Sequence, residues 1–136
     1  MEKQITILIA DDNHRVRESL RMLIGEMEHT KFVGEAANGT EAIALAAELS
    51  PDIILMDINI SPVNGLEAAR EILLHDPSSR IIGLSLHSLP FYARNFLQLG
   101  AKGFVSKMAP VAEIIEAIKI VAEGGVYIDK NLRSII

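Results

Sequence analysis

The chain has 136 residues, 49% of them apolar, which fits one globular domain with a buried core. It has no cysteine, which excludes a disulfide framework and thiolate chemistry. The formal net charge is -5 with 13 scattered Lys and Arg residues, so there is no basic face for nucleic acid, and no apolar run approaches the roughly 20 residues that span a bilayer. The opening Met1-Glu2-Lys3-Gln4 lacks the basic-then-apolar pattern of a secretory signal, so a cytoplasmic location is expected.

Strand-like and helix-like segments alternate from the start. Ile5 to Ala10 is an apolar strand ending in Asp11 and Asp12. Asn13 then caps a helix whose core stripe is Val16, Leu20, Leu23, Ile24 and Met27, with Arg15, Arg17, Glu18 and Arg21 expected to face out. A weaker strand follows over Phe32 to Ala36. Asn38-Gly39-Thr40 opens a second helix, which carries Ile43, Ala46 and Ala47 and stops at Ser50-Pro51.

Ile53 to Met56 forms a third strand that ends in Asp57. The third helix starts near Gly65, buries Leu66, Ala69, Ile72 and Leu73, and stops at Asp76-Pro77. Ile81 to Leu84 is a fourth strand and ends in Ser85. A short helix over Phe91 to Leu99 ends at Gly100. The fifth strand, Phe104 to Ser106, leads into Lys107. Pro110 opens the last helix, Val111, Ile114, Ile115, Ile118, Val121 and Ala122 form its stripe, and Gly124-Gly125 ends it.

The first, third and fourth strands are near-continuous apolar runs, the mark of strands covered on both faces. Repeated strand-helix units joined by short loops imply right-handed crossovers and a parallel sheet. The expected fold is α/β, a doubly wound five-stranded parallel sheet of order 2-1-3-4-5. That order places the ends of the first and third strands at the point where the winding reverses, where ligands bind.

Asp11, Asp12, Asp57, Ser85 and Lys107 would then line one crevice. Taken singly, each has a plain reading: a helix-capping aspartate, a turn-starting aspartate, a strand-end serine bonding its own backbone, a surface lysine. Together they make a set of three carboxylates, one hydroxyl and one ammonium. Two adjacent acids at the first loop repel an anion and attract a hard cation, and Mg2+ needs only one or two protein carboxylates. With the acids neutralised, Asp57 is free to act as a nucleophile towards phosphorus. Lys107 and Ser85 suit phosphoryl oxygens, since phosphoryl transfer asks chiefly for positioning and charge neutralisation.

These segments resemble the response-regulator receiver domain, the CheY-like phosphoacceptor module of two-component signalling. The matching motifs are Ile7-Leu8-Ile9-Ala10-Asp11-Asp12, Leu55-Met56-Asp57 followed by Gly65-Leu66-Glu67-Ala68, Gly83-Leu84-Ser85, and Gly100-Ala101-Lys102-Gly103-Phe104-Val105-Ser106-Lys107. The resemblance implies a flavodoxin-like (βα)5 fold in which Asp57 accepts the phosphoryl group. It implies that Asp12 binds Mg2+ directly, that Asp11 does so through water, and that Asn59 adds its backbone carbonyl. It also implies that Ser85 and Lys107 hold the phosphoryl oxygens, that Ser85 and Phe104 form the conformational switch, and that Asn59 and His87 tune the lifetime of the phosphoryl group. One departure stands out. The family carries Met-Pro three and four residues after the phosphoacceptor, whereas this chain has Ile60-Ser61 and then Pro62, so the backbone around Asn59 is expected to take its own path.

Gly100-Ala101-Lys102-Gly103-Phe104 and Gly124-Gly125-Val126-Tyr127-Ile128 are similar to the NarL/FixJ subfamily, in which a linker and a helix-turn-helix DNA-binding domain follow the receiver. The expected organisation is therefore a receiver over residues 1–125, with residues 126–136 starting a linker. The expected donor is a histidine kinase or a small phosphodonor. Phosphorylation-dependent homodimerisation is expected, and DNA contact only through a further domain. The domain would assist its own phosphorylation and dephosphorylation rather than turn over a substrate. Three rivals remain at this stage: an unphosphorylated interaction module, a small phosphoaspartate phosphatase, and a flavodoxin-like cofactor binder. The phosphatase reading expects Asp-x-Asp after the first strand, where this chain has adjacent acids, and the cofactor reading expects a first loop that welcomes phosphate.

Overall fold

The computed structural model describes residues 3–86 and 90–133. In chain order the elements are β1 (Ile5–Ala10), α1 (His14–Glu26), β2 (Thr30–Ala36), α2 (Gly39–Leu49), β3 (Ile53–Asp57), α3 (Gly65–His75), β4 (Arg80–Ser85), α4 (Pro90–Gln98), β5 (Gly103–Ser106), α5 (Val111–Ala122) and β6 (Tyr127–Ile128). The sheet is parallel throughout, in the order β2-β1-β3-β4-β5-β6. The parallel α/β fold and the order of its first five strands match the sequence reading. β2 starts earlier than Phe32 because it pairs with β1 from Thr30, and the register shifts between Ile7 and Leu8.

Strand side chains alternate between two cores. Leu8, Ala10, Ile54, Met56 and Ile81 face one core with α2, α3 and α4. Ile7, Ile9, Ile53, Leu55, Ile82 and Leu84 face the other with α1 and α5. Burial of each such side chain contributes about 1.5–3 kcal/mol. Polar side chains fix the helix starts. Asn13 accepts from Arg15 N and Val16 N. Asn38 and Asn64 accept from Glu41 N and Glu67 N, and Glu41 in turn accepts from Ala37 N.

Two expectations need correction. The sheet has a sixth strand, and it lies in the stretch expected to begin a linker. β6 is only two residues long, too short to show a period in the sequence. Backbone bonds from Tyr127 N to Lys102 O (2.9 Å) and from Asp129 N to Phe104 O (2.8 Å) hold it in place. Tyr127 and Leu132 are buried, and Tyr127 Oη donates to the buried Glu113 carboxylate at 2.8 Å. Burial, and then Glu113, push the Tyr127 phenol pKa above its ordinary value, so it remains a donor. Asp129, also buried, accepts from Ser106 N at 2.8 Å and from Asn131 N at 2.9 Å. The second correction concerns Arg17. It does not face out with Arg15, Glu18 and Arg21, because its side chain is only 14% exposed and is bonded inward.

The docked end is expected to matter energetically. Tyr127→Ala should lose about 3–5 kcal/mol of unfolding free energy, while Tyr127→Phe, which removes only the bond to Glu113, should lose about 1 kcal/mol. Urea unfolding of both variants tests this, and two curves that overlay wild type would contradict the docking.

Candidate functional site

The carboxyl ends of β1, β3, β4 and β5 form one rim. Asp11 follows β1, where its N–H continues the ladder to Ala36 O at 3.0 Å. Its Oδ1 accepts from Asn13 N at 2.8 Å, which turns the chain into α1. Asp57 is the last residue of β3, and its Oδ1 accepts from Asn59 N at 3.0 Å. α3 begins directly over this turn. A Cβ at Gly65 would lie 2.4 Å from Asp57 O and 2.6 Å from Ile58 Cα, so only glycine allows the approach. Lys107 follows β5, and its N–H bonds Ser85 O at 2.8 Å, tying the ends of β4 and β5 together.

The lysine reaches back across the rim. Its Nζ lies 2.6 Å from Asp11 Oδ2 and 3.2 Å from Asp57 Oδ2. Both acids are buried, at 1% and 4% exposure, whereas Asp12 is exposed. Burial pushes the Asp57 pKa up, Lys107 and the Asn59 N–H pull it down, Asp11 pushes it up again, and the net shift is upward. For Lys107, burial favours the neutral amine, but its hydrogen bond to Asp11 and the charges of Asp57 and Asp11 prevail, so its pKa is raised and it stays charged.

Three carboxylates against one ammonium leave a negative excess. Asp11, Asp12 and Asp57 each place a carboxylate oxygen within 4.8 Å of the others. An octahedral Mg2+ with bonds of about 2.1 Å needs oxygens about 3–4 Å apart, which this spacing accommodates. Among the described residues, the buried Asp11 Oδ2 is met by Lys107 Nζ alone. Among the described residues, no protein group bonds the exposed Asp12 carboxylate. The donor set therefore fits a hard dication.

The remaining expected residues fall around this centre. Ser85 is buried at the end of β4, in register with Ser106. Phe104 is buried and meets Phe96 edge-on at 6.5 Å between centroids. A Cβ at Gly83, the partner of Phe104 in the sheet, would lie 2.7 Å from the Phe96 ring, so glycine there makes room for that contact. Asn59 is exposed, and its N–H faces the Asp57 carboxylate. His87 lies outside the described residues. The Ile60-Ser61-Pro62 departure is accommodated locally: Ile60 is fully buried, the Ser61–Pro62 peptide is cis, and Pro62 O accepts from Gly39 N at 3.1 Å.

The sequence reading missed three supporting groups. Arg17 Nη1 donates to Asp11 O at 2.7 Å. Asp129 holds the N–H of Ser106, just before Lys107. Glu113 gathers Tyr127 Oη and Lys130 N. Arg17 was detectable, because it lies three and seven residues before Leu20 and Ile24 and so falls on the buried stripe. Asp129 and Glu113 had no comparable signal, since their partners come from distant segments.

A family model described as the response regulator receiver domain matches residues 7–119. The chain belongs to that family. It is 36% identical over 127 residues to the transcriptional regulatory protein DegU of Brevibacillus brevis, covering 93% of this chain and 54% of that protein. It is 32% identical over 128 residues to the response regulator GacA of Pseudomonas viridiflava, covering 94% of this chain and 60% of GacA. The chain thus spans between half and two thirds of the length of these curated relatives. Among solved structures, a LuxR-family two-component response regulator from Aurantimonas sp. SI85-9A1 superposes with a TM-score of 0.93 at 32% identity, covering 97% of this chain and 94% of that one.

The charge arrangement makes a testable demand. The folded-state pKa of Asp57 lies above its ordinary value of 3.8, so the cost of keeping it ionised is full at neutral pH and fades as pH falls towards that value. Asp57→Asn should therefore melt at a higher temperature than wild type at pH 7 without divalent ions, and the gap should narrow on acidification. A variant that melts at or below wild type at pH 7 would contradict this balance of charges.

Proposed function

We propose that this receiver domain accepts a phosphoryl group on Asp57 from a histidine kinase or a small phosphodonor, in the cytoplasm. The observation that carries this reading is the Asp57 carboxylate at the end of β3, 3.2 Å from Lys107 Nζ and grouped with Asp11 and Asp12. A carboxylate oxygen of Asp57 attacks phosphorus. The bond from phosphorus to the leaving group breaks, and its electron pair departs with that group. The product is an acyl phosphate.

Asp11, Asp12, Asp57 and the Asn59 carbonyl would hold Mg2+, which when bound supplies charge neutralisation for the incoming phosphoryl oxygens. Lys107 pairs with one of those oxygens, and Ser85 donates to another. Asn59 and His87 set how long the phosphoryl group survives. The domain thereby assists its own phosphorylation and dephosphorylation and has no separate substrate to turn over.

Phosphorylation then biases a two-state element. Ser85 is drawn towards the phosphoryl group and Phe104 repacks, which alters the face formed by α4, β5 and α5. Moving the population from 1:99 to 99:1 takes about 5.5 kcal/mol of differential interaction. A few charge-assisted hydrogen bonds at about 1.5–3 kcal/mol each supply that amount. Similarity to DegU and GacA supports transcriptional control as the output, through a helix-turn-helix domain beyond this segment, with homodimerisation linked to phosphorylation.

Incubation with labelled acetyl phosphate and Mg2+ tests the reading. Wild type should incorporate about one phosphoryl group per chain, and Asp57→Asn and EDTA-treated wild type should incorporate at least about tenfold less. Equal incorporation by wild type and Asp57→Asn would overturn it.

A further inference from the structure

We infer that Arg17 is a positioning residue for the acid loop, setting the affinity of Asp11 and Asp12 for a divalent cation. The inference rests on the phosphoacceptor reading above. It starts from an asymmetry between the two acids. Asp11 is buried and held on several sides, by Ala36 O, Asn13 N and Lys107. Asp12 is exposed, and no protein group among the described residues bonds its carboxylate. The peptides on either side of Asp12 set the direction in which its side chain leaves the backbone.

Both neighbouring peptides are anchored. On the far side, Asn13 N donates to Asp11 Oδ1 at 2.8 Å. On the near side, the carbonyl of Asp11 belongs to the peptide that leads into Asp12, and it accepts from Arg17 Nη1 at 2.7 Å. Fixing that carbonyl fixes the plane of the Asp11–Asp12 peptide and hence the direction in which Asp12 leaves the backbone. Arg17 is itself held, because its Nε donates to Glu35 Oε1 at 2.8 Å, and Arg21 approaches the other oxygen of Glu35 at 3.9 Å. The guanidinium thus spans α1, β2 and the acid loop.

The fork is essential to this bridge. Arginine presents two separate donors in fixed geometry, one for Asp11 O and one for Glu35. Lysine keeps the charge, but its donors all radiate from one nitrogen, so it does not reproduce the fixed spacing of the fork between Asp11 O and Glu35. Support of this kind behind metal-binding groups typically changes metal affinity by about 10- to 100-fold when removed.

Charge and positioning predict opposite signs. A cation near the acid loop repels Mg2+, so if Arg17 acted through charge, its removal would tighten Mg2+ binding. If it acts by holding the Asp11–Asp12 peptide, its removal weakens binding. Calorimetric titration of MgCl2 into the full chain, for wild type, Arg17→Gln and Arg17→Lys, separates the two. The phosphorylation rate with acetyl phosphate is measured in parallel across the Mg2+ range.

Both variants should bind Mg2+ about tenfold more weakly than wild type. Their rates at saturating Mg2+ should stay within about threefold of wild type, since the loop is restored once the metal is bound. Arg17→Lys keeps charge and bulk, and it decides the matter if Arg17→Gln melts before it can be titrated. Variants that bind Mg2+ as tightly as wild type, or more tightly, overturn the inference and leave the phosphoacceptor reading intact. Wild type that binds no Mg2+ overturns that reading and this inference with it.

Discussion

Lys107 is the group on which the site depends. Its Nζ meets Asp11 at 2.6 Å and Asp57 at 3.2 Å, and both of those acids are buried. Two like charges about 4 Å apart repel by about 4 kcal/mol at an effective dielectric of about 20. A domain of this size has only about 5–15 kcal/mol of stability to oppose that repulsion. One ammonium shared between two carboxylates removes much of it. The rest of the architecture places that ammonium. Lys107 N bonds the end of β4, and Asp129 holds the preceding residue from the docked end of the chain.

The same constraint explains why the rim suits phosphoryl chemistry. Lys107 offsets Asp11 and Asp57 incompletely, and Asp57 stays above its ordinary pKa because burial and Asp11 outweigh Lys107 and the Asn59 N–H. A carboxylate destabilised in this way gains from any further positive charge. The proposed dication relieves that stress, and the proposed acyl phosphate, whose phosphoryl oxygens carry about two negative charges, draws on the same dication and on Lys107. A rim of this kind is poised between states, which a switch requires.

Much of this was legible in the sequence because it follows from local rules. Apolar runs that end in Asp57, Ser85 and Lys107 place polar groups at strand ends, and a parallel sheet gathers those ends. The cap at Asn13, the opening at Asn38-Gly39-Thr40 and the stop at Ser50-Pro51 framed the helices. The illegible parts are those that tertiary contacts decide. β6 has two residues and no period, and it exists because Tyr127 is buried against Glu113 and β5 offers an open edge. Arg17 has the composition of a surface residue and the position of a core residue. Its partners, Asp11 O and Glu35, meet only once β1 and β2 are paired.

The central claim is that burial and Asp11 outweigh Lys107 in setting the ionisation of Asp57, and that further positive charge at the rim reverses that balance. The most direct test follows the 13C carboxyl shifts of Asp11, Asp12 and Asp57 by NMR through a pH titration, with and without Mg2+. Without the metal, Asp57 should titrate above 3.8, and Mg2+ should move its midpoint down. An Asp57 carboxyl that titrates at its ordinary value and ignores Mg2+ would contradict the account.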